Sequence, residues 1–585
     1  MQTRNEVNEK YKWDLTCFVK DEQELKNNLQ YLKEQAPKFR DFYGKLGEVE
    51  MYKKYYKFSL EYSDVLGKTA MYLYRNLDTD TSNTKFLNYN QQFDYIMKEY
   101  NEATAYIGPQ MLDLPNEYYY ELLKQPELKN CKRSFERLIA NKPHKISEHD
   151  SELFSKMSLF LGGSDEAYST LISGEIQFKN AVDSNGKEIE VSESEYIKLV
   201  TNKDRKLRAS GFKSIMQGYG DKIKTIACMY TNHLQEEIFY AKHSNFKSVF
   251  DESMFSEEVD EQVYNTLISN INSRLDVLQQ IIKLKGKYLN IKDLAYYDIM
   301  LDIGQNEEKY TVEQAVELVK KCTEILGEEY QQLLNEKFNQ KVIDYLPNKD
   351  KQSGAYSSGI YNCPSVVLMN FVDNYESVST LAHEIGHAMH TELSNRTQPI
   401  ELADYVIFVA EVGSTVNEIL LNLLVRKTAN KEERIALIFR LLNDVRTTIY
   451  RQTMFSEFEQ FSHSTLEKGQ PLTYEDFNNK YYELNKKYFG DTLILPDELK
   501  YEWARIPHFY NDFYVYEYST GYISALCIVQ KLLEDENYYK QYINFLKGGC
   551  TKSPVELLKD VGVDLTTNQP YEKAFEFINS QIKEL

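Results

Sequence analysis

Cysteine is scarce in this sequence and never paired. Seven residues, at positions 17, 131, 228, 322, 363, 527 and 550, are scattered over 585 positions with no CxxC. An odd, dispersed set argues against a disulfide framework and a cysteine-based zinc site, and leads us to expect reduced thiols in the cytoplasm. Positive charge is also in deficit, with 69 Lys and Arg against 89 Asp and Glu, a net charge of −20 and a pI near 5.1. Such a surface repels phosphate backbones and anionic lipid, so neither nucleic acid nor membrane is an expected partner. No uncharged apolar run reaches the ~18 residues of a membrane span. The opening stretch, MQTRNEVNEKYKWDL, lacks the apolar core of a signal peptide. Low-complexity tracts and fixed-period repeats are missing as well. What is there is an ordinary globular composition, 42% hydrophobic and 27% charged, on a chain too long for one small core. The 47 tyrosines are in excess and read mainly as compositional bias.

The helical period dominates, which predicts a mainly α fold. Asp21 with Glu24 opens a helix that carries Leu25, Leu29 and Leu32 on one face and stops at Pro37. Thr311 and Gln314 form a capping box ahead of a helix that ends on Gly327. Val263, Leu267, Ile271, Leu275, Leu278 and Ile282 trace one long amphipathic helix between them. Two stretches depart from this pattern. Residues 174–192 alternate on either side of Asn185-Gly186, as a β-hairpin does, and a domain boundary is expected just beyond, near residue 200. That divides the chain into an N-terminal helical domain, 1–200, and a catalytic domain, 201–585. The second departure is a Gly- and Ser-rich loop followed by an expected strand, Val366 to Phe371, a dozen residues before His383.

Residues 381–390 read LAHEIGHAMH. On a helix, His383 and His387 differ by about 40° in azimuth, so both imidazoles can reach one ion. Zinc suits two neutral imidazoles and an open position for water. Glu384 adjoins the first histidine, where its carboxylate can take a proton from a water held by the metal. The flanking Leu381, Ala382, Ile385, Ala388 and Met389 make the helix apolar and so buried, and buried histidines need partners. A chance HExxH occurs on the order of 0.01 times in a chain of this composition. His390 lies roughly 20° from His383 but ~10 Å along the axis. It is expected beside the ion rather than on it, facing outer ligands or substrate. A metzincin would need Gly at 390 and His at 393, where this chain has His390 and Leu393.

A third ligand must come from downstream, where Glu392, Glu401, Asp404, Glu411 and Glu418 are available. Glu411 stands out because it interrupts the apolar stretch YVIFVAEVGSTVNEILLNLLV, where a lone carboxylate is costly. Ser414 and Glu418 share its face, and Glu418 is the alternative ligand. Charge developing on a carbonyl oxygen needs donors. The densest aromatic stretch, RIPHFYNDFYVYEYSTGY, offers His508, Tyr510, Tyr514, Tyr516, Tyr518 and Tyr522.

SGAYSSGIYNCPSVVLMNF, TLAHEIGHAMH, FVAEVGSTVNE, RIPHFYNDFYVYEYSTGY and GVDLTT resemble, in order, segments of oligoendopeptidase F, within the thimet-oligopeptidase family of zinc peptidases. The resemblance implies an elongated, two-lobed helical body of zincin type. It also implies a deep central channel that admits short unstructured peptides, and a small β-sheet beside the active-site helix. It makes His383, His387 and Glu411 the ligands of one zinc ion and Glu384 the base. His508 matches a substrate-facing histidine. Tyr516 matches an oxyanion-binding tyrosine, with Tyr514 and Tyr518 as alternates because Phe513 occupies the family's other tyrosine position; His390 is a further alternate toward substrate. Under this resemblance the 366–371 strand would pair with an extended substrate. The loop with Gly354, Tyr356 and Gly359 would fold over it on glycine hinges.

The expected function is a cytoplasmic, zinc-dependent endopeptidase acting on oligopeptides. Two alternatives differ in what they would require. A zinc carboxypeptidase needs a basic group for the substrate's terminal carboxylate, and none is identifiable from sequence. A non-catalytic peptide-binding protein would have no use for an intact Glu384 and His508. Nothing in the sequence fixes an oligomeric state.

Overall fold

The computed structural model describes residues 2–146, 150, 154, 157, 161–304 and 309–585. Helices predominate, with only two small sheets among the described residues. The expected caps are present. Asp21 accepts the Glu24 N–H at 2.9 Å and opens the Glu22–Gln35 helix, which gives way at Ala36 to the tighter Ala36–Phe42 turn holding Pro37. Thr311 and Gln314 exchange hydrogen bonds of 2.8 and 3.2 Å at the head of the Val312–Cys322 helix. A short turn then reaches Gly327, whose φ of +86° only glycine adopts cheaply. The single long helix expected over Val263–Ile282 is instead two, Glu261–Asn272 and Leu275–Tyr288. The break falls where Ser273 Oγ and the Arg274 guanidinium both donate to the Asn270 carbonyl, at 2.8 and 3.0 Å, and so cap the first helix from its end.

Contacts gather the chain into two compact units, each built from three stretches. One comprises Met1–Lys145, Glu307–Val425 and Lys531–Val561; the other comprises Ile146–Asn306, Arg426–Gln530 and Gly562–Leu585. The cuts fall after 145, 306, 425, 530 and 561, and residues on both sides of position 200 belong to the second unit. The tyrosine excess is largely core material. In the first unit Tyr62 is fully buried, stacks on Tyr100 at 4.9 Å and packs among Leu25, Leu32, Phe39 and Leu73. Tyr106 and Tyr118 send their hydroxyls to the carbonyls of Phe39 and Leu46 at 2.7 and 2.5 Å, which lets a polar ring serve as an apolar filler.

The hairpin lies in the second unit as β1 (Ala181–Val182) antiparallel to β2 (Glu188–Ile189), with Gly186 at φ +80° in the turn. The first unit holds a three-stranded sheet, β3 (Ile343–Asp344), β4 (Tyr356–Ser358) and β5 (Val366–Leu368), in the order β3-β5-β4. This corrects two expectations. The strand at 366 exists but is the central one: β3 runs parallel on one side and β4 antiparallel on the other. The N–H groups of Val367, Met369 and Phe371 are spent on the carbonyls of Val342, Asp344 and Tyr345, so no substrate can add to this strand. The presumed loop contributes an outer strand, β4. Its Tyr356 is half-buried, hydrogen-bonds Asp78 and lies under the Arg75 guanidinium at 4.6 Å. Gly354 keeps open space and a left-handed φ of +82°. Gly359 is a packing position: a Cβ there would stand 2.9 Å from Thr391 and 3.0 Å from Ser365.

Candidate active site and metal centre

Two helices of the first unit build the site. Asn374 caps Tyr375–Thr397 by accepting the Ser377 N–H at 2.9 Å, and the helix buries Val378, Leu381, Ala382, Ile385, Ala388 and Met389. The second helix, Ile407–Arg426, is long and apolar enough to cross a bilayer by composition, yet two thirds of its apolar window is buried within the protein. The two cross at Gly386. A Cβ on that residue would lie 2.5 Å from Ser414 Cα and 2.6 Å from the Gly413 carbonyl oxygen. Only glycine permits this approach, and the approach brings Glu411 up to the two histidines.

His383 Nε2 and His387 Nε2 are 3.2 Å apart, and Glu411 Oε2 lies 3.4 and 3.5 Å from them. Ligands about 2.0–2.2 Å from one ion at tetrahedral angles stand roughly 3.3–3.5 Å from one another, so this donor set fits a zinc-sized ion with a position left open. Glu418 Oε2 is 3.3 Å from His383 Nδ1, the nitrogen on the far side of the ring. A carboxylate there keeps the proton on Nδ1 and leaves the Nε2 lone pair toward the ligand cluster. Ser414 Oγ donates to Glu411 Oε2 at 2.9 Å and fixes that carboxylate.

The electrostatics are those of a crowded acidic pocket. His383 is pushed up to about 9: burial opposes its charge, but the hydrogen bond to Glu418 and the charges of Glu418, Glu411 and Glu384 outweigh that. Glu411 is driven down to about 2, because the hydrogen bond from His387 and both imidazole charges overcome burial. Glu384 moves the other way. Burial, with Glu411 and Glu418 nearby, raises it above the ordinary carboxyl range, while His383 and His387 restrain the rise. Side by side, one carboxyl is suited to ligation and the other to carrying a proton.

The other downstream carboxylates have different partners. Glu392 forms a buried ion pair with Lys337 at 2.6 Å and accepts the Ser365 N–H at 2.9 Å, which ties the helix to the start of β5. Glu401 accepts from the Tyr56 hydroxyl, and Asp404 accepts the Tyr405 N–H. His390 does not face substrate. Only 1% exposed, it stacks on Tyr405 at 3.8 Å and 7°, and burial pushes it down to about 3. Sequence reasoning missed Asn417, which donates to the Ala382 carbonyl at 3.2 Å and to Tyr330 Oη at 3.1 Å and so staples the two helices together. A polar residue six positions past Glu411 in an apolar helix was the available signal.

In the second unit, His508 is exposed, and its ring lies 6.1 Å edge-on from Tyr518, which in turn meets Tyr514 at 5.1 Å. Tyr514 and Tyr518 are half-buried. Tyr516 is fully buried, with its ring edge-on against Tyr264 at 5.4 Å. Within this unit the first three form one accessible polar patch, and Tyr516 is part of the packing beneath it. Burial and the charge of Arg451 hold His508 below its ordinary range, hence neutral at pH 7.

Residues 198–577 match Peptidase family M3, and residues 110–178 match the Oligopeptidase F family. The chain is 33% identical to the oligopeptidase PepF of Bacillus subtilis, covering all of this chain and 88% of that protein. It is 31% identical to the group B oligopeptidase PepB of Streptococcus agalactiae, covering 100% and 98%. A solved chain from Chlamydophila abortus superposes with a TM-score of 0.94 at 31% identity, covering 100% and 99%. Oligoendopeptidase-F from Enterococcus faecium gives 0.73 at 26%, covering 96% and 98%. With HExxH, a helix-borne carboxylate and matches along its whole length, this chain belongs to peptidase family M3 and is a peptidase of the oligoendopeptidase F kind.

Proposed function

We propose that this chain is a zinc-dependent endopeptidase that cleaves short, unstructured peptides internally, in the cytoplasm. The observation that carries the proposal is the convergence of His383, His387 and Glu411 within 3.5 Å of one another, beside a buried Glu384 whose proton affinity is raised. The names of the relatives, oligopeptidase and oligoendopeptidase, support the substrate class.

His383, His387 and Glu411 would hold the zinc. When bound, zinc supplies a Lewis acid that polarises the scissile carbonyl and lowers the pKa of the attacking water. Glu384 takes the proton from that water as it attacks, then returns it to the departing amine. Glu418 and Ser414 keep His383 and Glu411 oriented throughout. His508 and the phenols of Tyr514 and Tyr518 are the proposed donors to the carbonyl oxygen as it gains charge. Tyr516, the position the family resemblance points to, is less suited because its ring is fully buried.

Two measurements test this. Hydrolysis of a peptide of about ten residues, followed by mass spectrometry, should show paired internal fragments that disappear with a chelator and return with Zn2+. A ladder of single-residue losses, or chelator-resistant cleavage, overturns the reading. Among the tyrosines, Tyr518→Phe or Tyr514→Phe should lower kcat by roughly 10²–10³-fold, as loss of an oxyanion donor does, whereas Tyr516→Phe should leave it within about threefold. Loss confined to Tyr516→Phe would reverse the assignment.

A further inference from the structure

The second unit contains another convergence of ligand-type side chains, unrelated in sequence to HExxH. Glu459 and His463 sit four residues apart on the Arg451–Glu467 helix, on one face and fully buried. With Asp512 they bring ligand atoms within 4.8 Å of one another. His463 Nε2 lies 3.1 Å from Asp512 Oδ1, and His233 Nε2, from the Ile223–His243 helix, lies 3.2 Å from the same oxygen.

A further observation points to a missing partner. Glu459 spends one oxygen on the Phe513 N–H at 2.7 Å, but its buried Oε2 has no hydrogen-bond partner among the described residues. A polar atom left unsatisfied at that depth is costly, the more so if charged. His233 Nδ1 is 3.1 Å from Asp165, a half-exposed carboxylate.

We propose that Glu459, His463 and Asp512 form a second, structural site for a divalent first-row transition ion, with His233 and Asp165 behind Asp512. An imidazole beside two carboxylates favours such an ion over Ca2+ or Mg2+, which prefer all-oxygen sets. On binding, His463 Nε2 releases its proton to solvent and offers its lone pair. The ion would fasten the backbone at Asp512 and Phe513. Phe513 has a φ of +53°, unusual for a bulky residue, and Tyr514 follows immediately.

The test uses the full chain with the first centre removed, H383A/H387A, after dialysis and reloading with Zn2+. Plasma mass spectrometry should find about one Zn2+ per chain, and Co2+ in its place should give visible d–d absorption. Adding His463→Asn to this background should abolish both while far-ultraviolet circular dichroism is unchanged. If that variant does not fold, His233→Gln in the same background should instead weaken the metal and alter the Co2+ spectrum. A folded H383A/H387A chain with less than a tenth of an ion and no Co2+ bands overturns the proposal, leaving His233, Asp512 and His463 a hydrogen-bonded network only.

Discussion

Glu384→Gln should hold as much zinc as the parent chain and lose about 10³–10⁴ in kcat. The amide is isosteric with the carboxylate, and the ligand atoms belong to His383, His387 and Glu411, so nothing in the metal set is removed. What disappears is a buried acid-base group, within the field of both imidazoles, whose proton affinity burial raises. Proton transfer by a positioned group is worth typically 10²–10⁴-fold, and here one group performs both transfers, to and from the reacting atoms. The check is a paired measurement: metal content by mass spectrometry and kcat on one fluorogenic peptide. Equal metal with undiminished kcat would falsify Glu384 as the base. Loss of metal together with activity would make it a ligand instead.

Gly386→Ala should cost the protein both stability and metal. A methyl group 2.5 Å from Ser414 Cα and 2.6 Å from a carbonyl oxygen meets backbone, which cannot rotate aside, so the two helices must move apart. Overpacking of this kind costs typically 1–3 kcal/mol, and shifts of ~1 Å at a catalytic site cost on the order of 10²-fold. Glu411 sits three residues before Ser414 on the helix that is displaced, so its carboxylate withdraws from His383 and His387. Gly413→Ala is the control, because its nearest contact, the Gly386 carbonyl oxygen at 3.4 Å, is already at ordinary van der Waals distance. We expect Gly386→Ala to melt several degrees lower and to bind zinc at least tenfold more weakly, with Gly413→Ala near the parent on both. Parent-like melting and zinc affinity in Gly386→Ala would mean that the crossing is not what positions Glu411.

The convergence of His383, His387 and Glu411 was legible because two independent constraints act on few residues. Helical spacing fixes where His383 and His387 point, and burial forbids Glu411 from standing alone in an apolar stretch. Local signals likewise located the caps at Asp21 and Thr311 and the turn at Gly186. The order β3-β5-β4 was not legible, since pairing of Ile343 with Val367 joins segments more than twenty residues apart and leaves no local pattern. The same holds for Tyr516. Its neighbours Tyr514 and Tyr518 are chemically identical, and only packing against Tyr264, about 250 positions away, distinguishes the buried ring from the accessible ones. The cluster at Glu459 joins a helix to a distant turn at Asp512, and its local trace is a Glu–His pair at i and i+4.

The last stretch of the first unit carries a consequence for how the protein is made. Phe545 lies 5.8 Å from His390, and Leu546 lies 3.5 Å from where a Gly413 methyl would be. The Lys547 carbonyl accepts from Gln398 at 2.8 Å, and Cys550 N–H donates to the Leu402 carbonyl at 3.0 Å. Lys531–Val561 thus backs both helices that carry His383, His387 and Glu411, yet it leaves the ribosome more than a hundred residues after them. At about 5–20 residues per second, the nascent chain carries HExxH on unfinished helices for on the order of ten seconds. A truncated or stalled chain therefore exposes apolar helix faces instead of a working protease, which makes it a substrate for chaperones and quality control.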